Sequence, residues 1–247
     1  MQSHMIQGLD GCRFAVEHRC VAVIVDALRA SATAAMLLDA GATELIFVKT
    51  VEDAYAAKAA YPDALLAGER GGLPPAGFDI GNSPRTVGMA NGRRVIFTTT
   101  TGSQWLIESW GAAAVFMGTT VNASAVAQAA VDAAQAANTD IVWIPAGLST
   151  DPAFSAQEDW VAATVIASIA DVEVKEGRAE YDHWRARIEQ EGVPALFHSA
   201  PHAAKLRAVN LADDLDYCSQ VNLTDQVPVA VARTAEGIIV HKHEMKG

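Results

Sequence analysis

Six short apolar runs recur along the first 146 positions, each followed at once by polar residues: VAVIVDA (21–27), ELIFVK (44–49), ALLAGE (64–69), RVIFTT (94–99), AVFMGT (114–119) and DIVWIPA (140–146). Their apolar positions run almost continuously and do not alternate, which is the pattern of strands covered on both faces. Between them lie alanine-rich stretches of helical length. Ser31 precedes ATAAMLLDA and Gly41 closes it, while Thr50 with Asp53 three residues on makes a capping-box start for VEDAYAAKAAY before Pro62. SAVAQAAVDAAQAAN (124–138) and SAQEDWVAATVIASIA (155–170) are predicted as two further helices. Buried strands joined by helical crossovers predict an α/β fold: a layered, mostly parallel sheet flanked by helices.

Past Asp171 the rhythm changes. EGRAEYDHWRARIEQEG and SAPHAAKLRAVN read as more polar helices, and VPVAVARTAEGIIVHK reads as two closing strands around Glu236-Gly237, together a small C-terminal α+β extension. The expected organisation is one domain over residues 1–247, with 1–20 as an N-terminal lead-in and 171–247 as the polar C-terminal part packed on the same domain. Ser3-His4-Met5 is given no functional weight.

Composition narrows what such a fold does. With 247 residues and 51% apolar side chains, the chain can bury a substantial core. A formal charge of -11 and a pI near 5.0 argue against nucleic acid as a partner, because backbone binding needs clustered Lys and Arg. An anionic ligand must therefore find a locally positive pocket. Cys12, Cys20 and Cys218 make no CxxC pair and no even framework, which fits a reduced, cytoplasmic setting without a structural zinc. The chain has no apolar run of membrane-crossing length, and its start lacks the charged-then-apolar order of a secretory signal.

In open α/β sheets ligands bind beyond the carboxyl ends of the strands. The residues there are Asp26 and Arg29, Glu69 and Arg70, Thr98 to Thr101 with Gly102 and Ser103, Thr119, Thr120 and Asn122, and, through the loop after Gly147, Glu158 and Asp159. Each also has a structural explanation. Asp26 and Arg29 can form a local ion pair, of a kind worth little at a surface. TTTTGS reads equally as a strand end with a helix cap or as an anion cradle at a helix start. Asn122 is placed to cap the alanine helix, and Ser155 with Glu158 matches a capping box, which leaves Asp159 unexplained. Asp26, Glu69, Asp79, Glu158 and Asp159, gathered at one sheet edge, are oxygen donors of the kind that Mg2+ takes. The seven histidines show no HExxH spacing, and His198 with His202 reads as a partly buried helical pair without a role. Phosphate-binding P-loops and cysteine phosphatase motifs are absent, and Leu28 stands where the second Asp of a DxD nucleophile motif would be.

The ordered set says more than its parts. VDALRASAT (25–33), GERGGLPPAGFDIGNSP (68–84), TTTTGS (98–103), VNASAVA (121–127), PAG (145–147) with SAQED (155–159), and DDLDYCSQVNLTDQVPV (213–229) together resemble the 2-phosphosulfolactate phosphatase family over about residues 21–230. The GER-to-GFDIGNSP block is the specific part. The resemblance implies a Mg2+-dependent phosphomonoester hydrolase that converts 2-phospho-3-sulfolactate to 3-sulfolactate and phosphate, a step in coenzyme M formation. Its partner is then a small phosphorylated anionic metabolite, with no nucleic acid and no membrane.

Carried over residue by residue, the family's motif falls on Asp26, Arg29, Glu69, Arg70, Phe78, Asp79, Gly81, Asn82, Pro84, Glu158 and Asp159. This mapping implies a catalytic set of Asp26, Arg29, Glu69, Arg70 and Asp79, with Arg29 and Arg70 clamping the phosphate oxygens. Asn82, Thr99, Thr100, Thr101, Gly102, Ser103 and Asn122 would bind substrate, and Asp26, Asp79, Glu158 and Asp159 would hold Mg2+. One departure stands out. The family usually reads TTNGT followed by arginine, and this chain reads Thr100-Thr101-Gly102-Ser103 and then Gln104, so an amide and a cation are lost. A changed phosphate ester, or a non-catalytic phosphometabolite-binding protein, is the alternative reading. A homodimer is the default expectation for a domain of this kind.

Overall fold

Each of the six apolar runs forms a strand. A computed structural model describes residues 1–151 and 153–244. Its first half runs β1 (Ser3–Met5), α1 (Gly8–Glu17), β2 (Val21–Val25), α2 (Ala30–Asp39), β3 (Glu44–Phe47), α3 (Val51–Ala60), β4 (Leu65–Gly68), β5 (Arg94–Thr98), α4 (Gly102–Glu108) and β6 (Ala114–Met117). The second half runs α5 (Ala123–Ala137), β7 (Ile141–Pro145), α6 (Gln157–Ala170), α7 (Arg178–Glu191), α8 (Val193–Ser199), α9 (Pro201–Ala208), α10 (Asp213–Cys218), β8 (Pro228–Arg233) and β9 (Ile238–Lys242).

Among the described residues the strands form one nine-stranded sheet in the order β1-β7-β2-β6-β8-β9-β3-β5-β4. The β1-β7-β2-β6 and β3-β5-β4 groups are parallel throughout. The tail hairpin β8-β9 forms as expected from its pattern, and it lies between these groups, antiparallel to β6 and to β3. The lead-in is also part of the fold. Ser3, His4 and Met5 pair in parallel with Ile141, Val142 and Trp143, and all three are buried. A strand of three residues is too short to show as an apolar run.

The sheet is covered on both faces, which accounts for its continuous apolar runs. On one face α1, α2 and α4 share a core with alternate residues of the strands, including Ala22, Ile24, Leu45, Phe47, Val95 and Phe97. Helix α4 touches both β2 and β3 although β6, β8 and β9 separate those strands, so the sheet curls around it. On the other face α5 and α6 cover the β7-β2-β6 side, while α3 covers the β3-β5-β4 side through Ala54 and Ala57. No described helix is long and apolar enough to cross a membrane.

Local signals held where their partners were local. Thr50 and Asp53 form the reciprocal capping box, and Asn138 closes α5 in the left-handed region at φ 50°. Two caps differ. Ser31 lies inside α2, where its hydroxyl accepts from the Asp26 N–H at 3.0 Å and donates to the Ile24 carbonyl at 3.1 Å, tying helix to strand. Ser155 forms no capping box with Glu158, because α6 starts at Gln157 and the glutamate turns to a tertiary partner.

Candidate active site

The curl of the sheet brings the C-terminal ends of β2, β4, β5 and β7 to one mouth, where a cavity of about 440 Å³ opens. Asp26, at the end of β2, forms part of its floor. One Asp26 oxygen accepts the Ala30 N–H at 3.2 Å. The other faces the start of α4, where a Cβ on Gly102 would lie 2.9 Å from it and 2.7 Å from Ala30 Cβ, so only glycine fits that approach. Burial pushes the Asp26 carboxyl up to about 6, with Glu69 and Glu158 adding to the rise and the Ala30 N–H and His202 opposing it.

Asp159, from the first turn of α6, accepts the Ala27 N–H at 2.7 Å and the Gly147 N–H at 2.9 Å, and so joins the loops that follow β2 and β7. Its carboxyl is nonetheless held well above the ordinary range, by burial first and then by Glu158 and Asp26. Glu158 is 1% exposed. Its Oε1 lies 3.0 Å from His202 Nδ1, and its Oε2 is buried with no hydrogen-bond partner among the described residues. The floor is thus an unbalanced cluster of carboxylates.

Glu69 works as a clasp. One oxygen accepts the Thr100 N–H at 2.8 Å and the Thr100 hydroxyl at 2.9 Å, while the other accepts the Gly72 N–H at 2.9 Å. Gly68 before it packs so close to β5 that a Cβ would lie 1.9 Å from the Thr98 carbonyl oxygen, at a backbone φ of 136°. The Gly72 carbonyl then accepts Arg29 Nη2 at 2.9 Å. Arg29 Nη1 meets Asp214 Oδ2 at 2.5 Å, and Asp214 Oδ1 accepts the Ser83 hydroxyl at 2.7 Å. Arg29 is therefore paired with a carboxylate 185 positions away and not with Asp26. Helix α9 contributes His202 and Lys205 to the wall, and Lys205 Nζ sits 4.5 Å from the centre of the Phe154 ring.

The predicted site residues divide between those in the cavity wall and those behind it. Asp26, Arg29, Glu69, Asn82, Thr100, Thr101 and Asp159 line the cavity, and Glu158 stands just behind His202. Asn82 Oδ1 is buried and lacks a hydrogen-bond partner among the described residues. Thr99 and Ser103 bond each other beneath the wall, Thr99 N–H to Ser103 Oγ at 2.9 Å and Ser103 N–H to Thr99 Oγ1 at 3.1 Å, holding the turn that leads into Gly102.

Three expectations are corrected by position. Asp79 is exposed and accepts the Leu66 N–H at 2.8 Å along the outer edge of β4, away from the other carboxylates. The loop leaves the cavity there because Tyr55 donates to the Ala76 carbonyl at 2.6 Å and packs edge-on against Phe78, binding residues 76–79 to α3. Arg70 braces the back of the loop through the Glu69 carbonyl at 2.6 Å and Thr98 Oγ1 at 2.8 Å and does not line the cavity. Asn122 lies buried after β6, where its carboxamide accepts the Thr119 N–H at 2.9 Å and donates to the Gln226 carbonyl at 3.0 Å. It stands at the N-cap position of α5 without a side-chain capping bond, and it does not reach the cavity.

Reading the sequence assigns His202 no role and does not single out Lys205, Asp214 or Ser83; His202 and Lys205 line the cavity, and Asp214 and Ser83 stand behind Arg29. The only available signal was spacing: His202 and Lys205 are three apart on one helix and therefore share a face. Among the described residues no three His, Cys, Asp or Glu side chains converge closely enough to enclose a cation. A hard cation that keeps several waters needs only one or two carboxylates; Asp26 on the cavity floor is one that could hold it, with the unpaired Glu158 Oε2 buried behind.

A family model described as 2-phosphosulpholactate phosphatase matches residues 12–233. A Deinococcus radiodurans protein named probable 2-phosphosulfolactate phosphatase is 38% identical over 221 residues, covering 85% of this chain and 88% of its own. Proteins of the same name from Carboxydothermus hydrogenoformans and Thermus thermophilus are each 34% identical. They cover 83% and 89% of this chain and 84% and 91% of their own.

Proposed function

The chain belongs to the 2-phosphosulpholactate phosphatase family, and from that premise we propose that it hydrolyses 2-phospho-3-sulfolactate to 3-sulfolactate and phosphate with Mg2+ bound in the cavity. The observation that supports this reading best is the meeting of Arg29 and Asn82 with the carboxylates of Asp26, Glu69 and Asp159 around one cavity in an otherwise acidic protein. A substrate with phosphate, sulfonate and carboxylate groups needs several cationic contacts, and Arg29, His202 and Lys205 all line this cavity.

Mg2+ fits beside Asp26, and when bound it would relieve the charge excess of Asp26 and Glu158 and polarise the phosphoryl oxygens. The chain's own residues supply the rest. Arg29 uses two of its five N–H donors on Asp214 and Gly72 and keeps three for phosphate oxygens. Asn82 lines the same cavity, and its side-chain NH2 is the donor it brings to a phosphate oxygen. Asp159, locked by two backbone N–H groups, accepts a hydrogen bond from the attacking water and sets its line of approach. Lys205 and His202 meet the carboxylate and sulfonate, while Leu148, Phe154 and Leu206 keep bulk water from the mouth. Phosphoryl transfer rests mainly on such positioning and charge stabilisation.

Phosphate release from 2-phospho-3-sulfolactate by the purified protein, abolished by a chelator and restored by Mg2+, is the expected result. No release with any of a panel of small acidic phosphate esters overturns the enzyme reading in favour of a phosphometabolite-binding protein. Release from another ester alone keeps the chemistry and changes the substrate. Thr101 favours watching for that outcome, since it stands in the wall in place of the family's usual amide and is engaged by the Ser149 N–H at 3.2 Å. A cytoplasmic setting, a step in coenzyme M formation and a homodimer belong to the same reading.

A further inference from the structure

Arg29 sits three residues after Asp26, in a cavity whose floor holds several carboxylates. A guanidinium with free rotation would pair with those carboxylates, since they are near and only partly solvated. The structure holds it elsewhere. Arg29 is 2% exposed, and its Nη1 lies 2.5 Å from Oδ2 of Asp214, a side chain with no exposed surface. Asp214 is itself aimed by a second contact, from the Ser83 hydroxyl to Oδ1 at 2.7 Å. The Gly72 carbonyl takes Nη2 at 2.9 Å, and Glu69 in turn fixes Gly72 through its N–H. Three distant segments, the loop after β2, the loop after β4 and α10, thus meet on one guanidinium.

We infer that Asp214 is the positioning residue for Arg29: it draws the guanidinium to the Gly72 wall, away from the floor carboxylates, so that its remaining N–H groups face the anion of the substrate. A buried ion pair adds little stability compared with apolar side chains of the same volume, so what this one supplies is orientation. Asp214 acts only through Arg29 and has no contact with the reacting atoms. The inference rests on the phosphatase reading for the choice of phosphate as ligand.

The test is equilibrium binding of inorganic phosphate by calorimetry to the wild-type protein, Asp214→Asn, Arg29→Lys and the double variant, with the melting temperature of each. Each single change is expected to weaken phosphate binding by roughly 10- to 100-fold, the range for outer-shell partners of bound groups. The double variant is expected to bind no more weakly than Arg29→Lys alone, because residues that act through one contact are not additive. Asp214→Asn that melts earlier but binds phosphate like wild type overturns the inference, and so do losses that add in the double variant. Wild-type protein that binds no phosphate also overturns it. If Asp214→Asn does not fold, Ser83→Ala keeps the carboxylate and removes one of its supports. Phosphate binding weakened several-fold supports the inference there, and unchanged binding overturns it. Hydrolysis is scored separately: the expected binding pattern without turnover of any ester removes the enzyme reading and leaves the role of Asp214 standing.

Discussion

Replacing Asp26 with asparagine should make the metal-free protein more stable and inactive, and the gain should depend on pH. An ordinary Asp carboxyl titrates near 3.8, and burial pushes Asp26 up to about 6. Ionising it in the fold therefore costs about 3 kcal/mol relative to the unfolded chain. Below about pH 3.8 the group is protonated in both states and nothing is lost. Between about pH 3.8 and about 6 the unfolded chain ionises while the native group resists, and the full cost is present from about pH 7 upward. An asparagine side chain at this position never ionises, and its amide oxygen can still accept the Ala30 N–H. Thermal unfolding in a chelator should then show Asp26→Asn melting roughly 6–12 °C above wild type at pH 8, from the usual relation of stability to melting temperature at this chain length. The two should melt together at pH 4. No gain at pH 8, or the same gain at both pH values, refutes the claim that an ionised Asp26 strains the floor. Phosphate release by the variant should fall to background.

Three further substitutions probe the walls. Glu69→Ala frees the N–H groups of Gly72 and Thr100 and the Thr100 hydroxyl, and should lower stability by about 2–4 kcal/mol in urea unfolding and turnover by more than roughly tenfold; wild-type values for both would show that the clasp is incidental. Asp79→Asn should leave kcat and KM unchanged, since its carboxylate meets only the Leu66 N–H on the sheet edge, and a loss of Mg2+ activation in this variant would return Asp79 to the metal set. Gly102→Ala should depress turnover far more than stability, because the new methyl meets Asp26 Oδ2 and Ala30 Cβ inside contact distance; overpacking of this kind costs about 1–3 kcal/mol. Kinetics alongside a melting curve separate the two effects.

Much of the architecture was readable in the sequence because its causes are local. Strands covered on both faces must be apolar throughout, so VAVIV and IVWIP announce themselves, and the box at Thr50 and Asp53 spans only three residues. The site was readable in part for the same reason. Asp26 and Glu69 directly follow strands, and Asp159 opens the helix after the β7 loop, so the topology gathers all three at the cavity. What could not be read depends on pairings across the chain. Nothing around Asp214 says that it will meet Arg29, and Glu158 shows a local cap pattern whose partner proves to be His202. Asp79 shares a loop with Glu69, but the Gly and Pro residues between them let the loop turn outward onto Tyr55. The tail hairpin shows in its own apolar runs, but nothing local says that it inserts between β6 and β3.

The position of the β8-β9 hairpin also sets the order in which the molecule can be completed. Until residues 228–242 leave the ribosome, the strands made before them can pair only as two separate parallel ribbons, β1-β7-β2-β6 and β3-β5-β4, each with an open edge at β6 or β3. Asp26 and Asp159 belong to the first ribbon, Glu69 and Thr100 to the second. The β8-β9 hairpin is thus the keystone that brings the two halves of the cavity into register. A nascent chain halted before residue 228 should carry two exposed sheet edges, bind chaperones and lack a phosphate site, whatever the state of the residues that line it.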